Sequence, residues 1–373
     1  MSSNALDYIT IRGFKSIAAV DKLEVKPINI VIGSNGAGKS NFIGVFAFLH
    51  AIRKGRLRNY VVENGGAERV LHFGSKRTEA VYFHLSFASF VGDANQYEPK
   101  LRPTNDDGLY VASEAAFSRP EDAQHYEFPF PPVEQGREAA ISDPSLQGAP
   151  DWIRRCLESW RIYHLRDTSS SSSMRKTARL NGQRIFALQW VQSRGVPLLS
   201  TRRHENAYSL IRRTVRRVAP FFDDFQLTPL RLKPDDIKLE WRHKNSDQYF
   251  DASFLSDGTL RFIALATLFL QPQEHLPSVI LVDEPELGLH PYAIEMPASM
   301  MKHASKRVQV IVSTQSSLLL DHFAPEDILV ADRANGATEI RRLDPAPLKD
   351  WLTDYSLGQL WEKNEFAGRP APG

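Results

Sequence analysis

The chain has 373 residues, a formal net charge of +2 and a single cysteine, Cys156. That length can bury at least one large core, while one cysteine excludes an internal disulfide framework and no Cys/His cluster has zinc-ligand spacing. No apolar run approaches the roughly 20 residues of a spanning helix, and the start MSSNALDYITIRGF has neither a basic nor an apolar signal region, so a soluble cytoplasmic protein without a membrane partner is expected.

In chain order, residues 8–12, 28–32 and 80–87 have the apolar content of strands. Between the second and third of these runs lies GSNGAGKS, residues 33–40, which fits the phosphate-binding form GxxxxGK[ST]. A helix is predicted to follow, because Phe42, Val45, Phe46 and Leu49 recur at helical spacing. Gly33, Gly36 and Gly38 allow backbone NH groups to turn onto phosphate oxygens, and Ser34, Asn35, Ala37 and Asn41 complete the nucleotide-binding segment. Lys39 brings a positive charge, and the Ser40 hydroxyl can ligate Mg²⁺ at the helix start.

From 91 to 150 the text turns to Pro, Gly, Asp and Glu, with FPFPPVEQG at 128–136, and an irregular loop is expected. Residues 151–217 are richer in helix formers but are interrupted by five serines at 169–173. Residues 153–217 carry 15 Lys and Arg against three acids (Glu158, Asp167, Glu205), whereas the rest of the chain has 31 basic and 41 acidic residues. Such asymmetry points either to an anionic partner, such as DNA or RNA, or to a solvated helical surface or pairing with the acidic remainder. If Arg212, Arg213, Arg216 and Arg217 share a helix, their i, i+4 spacing makes a four-charge patch.

Strand-like text resumes at 221, and 254–334 is the most orderly α/β stretch. Residues 254–261 (FLSDGTLR) open a predicted helix at which Ser256 and Gly258 offer either a second anion site or an ordinary N-cap. The apolar run 278–283 (SVILVD) ends in Asp283, followed at once by Glu284. An aspartate at the end of a buried strand near a phosphate loop can hold Mg²⁺, and the next glutamate can orient and deprotonate the attacking water.

GSNGAGKS, LSDGTLRF, VILVDEPELGLHP and VIVSTQS, in this order, resemble the Walker A, signature, Walker B with D-loop, and switch segments of ABC-type ATPases. The opening ITIRGFKSI resembles the RecF, SMC and OLD-like branch, and the chain looks like the RecF-like predicted AAA-family ATPases. This resemblance implies an α/β P-loop NTPase core assembled from both ends of the chain. Residues 1–90 would carry Walker A, 91–220 a central, partly helical insertion, and 221–373 the signature, Walker B, D-loop and switch. It further implies ATP and Mg²⁺ as ligands and a homodimer that closes on ATP, with Lys39 and Ser40 of one subunit and Ser256 and Gly258 of the other at the nucleotide. Glu284 and the switch residue Gln315 would join Lys39 in catalysis.

Gln315 stands where ABC ATPases usually have histidine, and an amide does not titrate near neutral pH, so slow or partner-stimulated turnover is expected. The 223 residues from Gly33 to Ser256 leave no room for long coiled-coil arms, and the 58 after Gln315 are too few for the TOPRIM nuclease of OLD-like relatives. Nucleic-acid processing in DNA repair or phage defence, with a separate TOPRIM-type nuclease chain, is the function this resemblance implies. The nucleotide-binding subunit of a membrane transporter and a P-loop kinase of small metabolites are the alternatives.

Overall fold

The computed structural model describes residues 5–88, 94–119, 126–129, 138–165, 178–179, 205–230 and 233–366. Its elements begin with β1 (Leu6–Phe14), β2 (Ile17–Glu24), β3 (Ile28–Ile32), α1 (Lys39–Arg53), α2 (Leu57–Glu63), α3 (Ala67–Val70), β4 (Val81–Phe87), β5 (Ala94–Pro103), β6 (Leu109–Arg119), β7 (Tyr126–Pro129), α4 (Ala149–Ser159) and β8 (Arg161–His164). They continue with β9 (Ala178–Arg179), α5 (Glu205–Val218), β10 (Phe222–Leu230), β11 (Lys233–His243), β12 (Tyr249–Asp251), α6 (Asp257–Leu270), β13 (Val279–Asp283), α7 (Glu295–Ser305), β14 (Gln309–Thr314), α8 (Ser317–Leu320), β15 (Ile328–Ala334), β16 (Ala337–Arg342) and α9 (Leu357–Glu362). Two compact units result: residues 1–162, 277–281 and 308–373 form the first, and 163–276 with 282–307 the second.

The first unit joins both ends of the chain. Its antiparallel sheet has the order β2-β1-β4-β5-β6-β7, and a mixed sheet has the order β16-β15-β3-β14-β13-β8. In the mixed sheet β3 pairs in parallel with both β14 and β15, setting Thr314 opposite Ile32 and Val330 opposite Ile32 on the other side. All five β3 residues are buried, as expected for a parallel strand covered on both faces. Helix α1 buries Phe42, Ile43, Val45, Phe46, Phe48, Leu49 and Ile52, more than one face of a surface helix would bury. Phe48 meets Phe14 and Phe83 of the antiparallel sheet, and Phe46 meets Trp160.

The stretch expected to be irregular loop instead contains β5 and β6, so the N-terminal sheet continues past residue 90. Its inward positions include Asn95, Tyr97, Pro99 and Glu114, and this polar content hides the period-two signal. Glu114 is tolerated inside because it accepts from Tyr97 Oη (2.7 Å), Ala140 N (2.8 Å) and Ile141 N (3.0 Å). The serine run 169–173 and residues 180–204 lie outside the described residues.

In the second unit β10, β11 and β12 form an antiparallel sheet that β9 joins through β11. Helix α6 is buried at every position of 260–269 and packs between α5 and α7. Among the described residues no helix is long and apolar enough to cross a membrane.

His50, on α1, has its Nδ1 3.2 Å from Leu157 O. Burial first, and then the nearby Lys54 charge, holds its pKa down at about 4. The unfolded chain, with an ordinary value of 6.5, therefore takes up this proton first as pH falls, so the stabilising contribution is complete above about pH 6.5 and is lost on approaching pH 4. Denaturant unfolding over that range is expected to show a steeper loss of stability for the parent than for His50→Gln.

Candidate functional site

The phosphate loop links the end of β3 to the start of α1, which has no side-chain N-cap. Its leading NH groups are therefore left to face outward, the arrangement an anion needs. Gly38 has φ of 102°, and a Cβ there would come within 2.0 Å of Thr338 Oγ1, so both conformation and space require glycine. Lys39 is buried and donates to Gly33 O (2.6 Å) and Ser34 O (2.9 Å), which holds its ammonium over the loop. Ser40 is exposed in the first turn of α1, and Asn35 is exposed at the loop tip.

A hydrogen-bond chain that sequence reasoning missed supports this loop from behind. Asn41 Nδ2 donates to Ser16 Oγ (2.6 Å), Ser16 Oγ lies 2.7 Å from Thr338 Oγ1, and Thr338 Oγ1 lies 2.9 Å from Ala37 O. A carbonyl can only accept and a hydroxyl has one proton, so the direction is forced: Asn41 to Ser16, Ser16 to Thr338, Thr338 to Ala37 O. Thr338 N also donates to Ser16 O at 2.7 Å. Ser16 lies in the opening segment ITIRGFKSI but was not singled out, and Thr338 is one hydroxyl on a late strand and left no signal.

Gln315 follows β14 directly. Because Thr314 is registered against Ile32, the residue before Gly33, the first unit brings the switch position alongside the start of the phosphate loop. The predicted residues 33–41 and Gln315 thus share one edge of the mixed sheet.

The second unit holds the other predicted residues. Asp283 is buried at the end of β13, and Glu284 has φ of 49°, an unusual conformation for a side chain with a Cβ. Such a conformation costs of order 1 kcal/mol. Ser256 caps α6, its Oγ accepting from Thr259 N at 3.2 Å, so the ordinary N-cap expected as one alternative is present. A Cβ on Gly258 would lie 2.2 Å from Gly288 O, which means that the signature segment and the D-loop touch through their backbones. Arg261 reinforces this contact: it is buried, and it donates from Nη1 to Leu287 O (2.7 Å) and from Nε to Leu165 O (2.8 Å). Its sequence signal was the lone charge in the run LRFIALATLFL.

The basic segment reads differently once folded. Arg212, Arg213, Arg216 and Arg217 do lie on one helix, α5, but Arg212 pairs with Asp224 (2.8 Å) and Arg216 pairs with Asp223, which also binds Arg242. Arg154 and Arg155 likewise pair with Asp151. The four-charge patch is thus half neutralised, leaving Arg213 and Arg217 exposed. Among the described residues no group of three His, Cys, Asp or Glu could hold a metal.

The fold is shared by solved structures. A crystal structure of an SMC head bound to the C-winged helix domain of ScpA aligns over 92% of this chain and 99% of its own, with a TM-score of 0.58 at 15% identity. An SMC head with an extended coiled coil, bound to the C-terminal domain of ScpA and derived from Pyrococcus furiosus, aligns over 94% and 99%, with a TM-score of 0.55 at 14% identity. The fold is therefore that of an SMC-head, ABC-type P-loop ATPase, as the motif order implied. Residues 28–321 match the family described as "AAA domain, putative AbiEii toxin, Type IV TA system", and the chain belongs to that AAA-domain family. No curated protein matches the sequence.

Thr338→Val keeps the volume of the side chain but removes the proton that Ala37 O accepts. Leaving this buried carbonyl unpaired is expected to cost about 1–3 kcal/mol of stability and to loosen the loop. Calorimetric titration with ATP is expected to show affinity roughly 10-fold weaker than the parent, in line with about 1.4 kcal/mol per tenfold.

Proposed function

We propose that this chain is a Mg²⁺-dependent ATPase that closes as a nucleotide-sandwich dimer and thereby controls the processing of nucleic acid. The observation that carries this reading is the phosphate loop: outward NH groups at the start of α1, with Lys39 folded over the loop and its rear polar groups satisfied by Thr338. Lys39 would face the β- and γ-phosphates. Ser40 and Asp283 offer one hydroxyl and one carboxylate, hard oxygen donors that suit Mg²⁺ keeping most of its waters. When bound, Mg²⁺ would neutralise charge on the β- and γ-oxygens.

Glu284 would take the proton of the attacking water, and Gln315 would orient that water or the γ-phosphate by hydrogen bonding. An amide cannot relay the proton onward, which favours slow turnover until a partner completes the site. The contact between Gly258 and Gly288 supports a composite site, since the signature and D-loop would reach a second subunit's nucleotide as one rigid edge. The heads with this fold were solved with ScpA domains bound, which supports a protein partner here as well. A separate nuclease chain in DNA repair or phage defence would be such a partner.

Lys39→Ala is expected to abolish ATP binding, whereas Glu284→Gln keeps binding, loses turnover and accumulates the ATP-bound dimer on size exclusion. Ser256→Arg is expected to bind ATP without hydrolysing it, and mixing it with Lys39→Ala restores part of the activity. Normal ATP affinity in folded Lys39→Ala refutes the assignment of the site.

Arg213 and Arg217 would supply the nonspecific phosphate contacts, because their neighbours on α5 are already paired. Replacing both by Gln is expected to lower DNA or RNA affinity evenly across sequences and to reduce the salt slope by about 2. Unchanged binding and slope would remove nucleic acid from this surface.

A further inference from the structure

The segment that carries Gln315 is short and is held from outside. On one side of Gln315, Thr314 is fully buried in β14, and its Oγ1 accepts from Ser316 N at 3.0 Å. On the other side begins α8, capped by Ser316 Oγ, which accepts from Leu319 N at 3.2 Å. A helix of four residues does not persist by its own hydrogen bonds, so α8 keeps its place only through what packs on it. Leu319 and Leu320 are fully buried, and the start of the helix is backed by α9, close to the C-terminal end of the described residues.

The contact between them is specific. Gly358 N donates to Asp321 Oδ1 at 2.6 Å, and a Cβ on Gly358 would lie 2.3 Å from Ser317 O and 2.6 Å from Asp321 Oδ1. Only a glycine allows the two backbones to approach this closely. Ser356 and Gln359 form a reciprocal capping box, which fixes the first turn of α9 and directs the Gly358 NH at the Asp321 carboxylate. Ser317 O, the atom against which Gly358 rests, is two residues from Gln315.

We propose that Asp321 and Gly358 form a clamp that positions Gln315 for ATP turnover, so that the C-terminal segment belongs to the catalytic machinery without touching the nucleotide. The inference rests on the assignment of Gln315 given above. Opening the clamp lets the start of α8 shift, and a displacement of about 1 Å in a group that orients water or phosphate lowers the rate by up to roughly 100-fold. ATP binding, carried by the phosphate loop, is untouched.

The test compares the parent with Asp321→Ala, Asp321→Asn and Gly358→Ala in steady-state hydrolysis, with ATP affinity by calorimetry and thermal melting alongside. Asp321→Ala and Gly358→Ala are expected to lower kcat roughly 10- to 100-fold with ATP affinity within about twofold of the parent. Asp321→Asn, which keeps an acceptor for the Gly358 NH, is expected to recover most of that loss. The clamp is refuted by folded Asp321→Ala with parental kcat, by Asp321→Asn no better than Asp321→Ala, or by affinity and kcat falling together with the melting temperature. Where Gly358→Ala does not fold, the two Asp321 variants decide alone. A parent without any turnover overturns the proposed function and the clamp with it, whereas an active parent with unchanged variants overturns the clamp only.

Discussion

A loop that offers its NH groups to an anion must have its carbonyls satisfied from behind, and it must do so in a glycine-rich segment that gives up much conformational freedom on ordering. The carbonyl of Ala37 meets this requirement through Thr338, 301 residues away in sequence, and Thr338 is tied in turn to Ser16, 322 residues away. The phosphate loop therefore has no finished form until the late strand β16 and the early β1-β2 turn have both docked. Such distant closure is slow compared with local helix formation. It also explains why β3 has to sit between β14 and β15, strands that arrive almost 300 residues later. The long middle of the chain is tolerated because loop closure cost grows only slowly with length.

The second unit obeys a related economy. Where the first relies on side-chain hydroxyls, this one brings two backbones into contact at Gly258 and Gly288 and seals the contact with a buried guanidinium. Arg261 is acceptable there because its donors meet the carbonyls of Leu165 and Leu287. The positive φ at Glu284 lies in the same stretch of chain, three residues before the carbonyl that Arg261 holds. Strain of this kind persists only where the surroundings over-determine it.

What could be read from sequence follows from how each element is buried. β3 and β13 were legible because strands covered on both faces are written as mostly apolar text, and α1 because a glycine loop fixes where it starts. β5 and β6 were not, since their inward positions include Asn95 and Glu114, and the partners that satisfy Glu114, Tyr97 and the NH groups of Ala140 and Ile141, lie 17 to 27 residues away. The catalytic and binding candidates stood out as motifs, yet the residues that hold them did not. Thr338, Asp321 and Gly358 act through one hydrogen bond or one missing methyl group, and a single residue has no period. The arginines of α5 show the converse error, in which charge spacing was visible and the paired aspartates of β10 were not.

Helix α1 is surrounded by the core along most of its circumference, with Phe42 packed on Phe46, Phe46 on Trp160, and Phe48 on Phe14 and Phe83. A close-packed interior has no intermediate setting for such a helix, because a slide of even one turn would empty several aromatic pockets at once. The phosphate seat is thus a stator. Any adjustment near the phosphate loop therefore has to be taken up by the loop itself, since the helix behind it has nowhere to go.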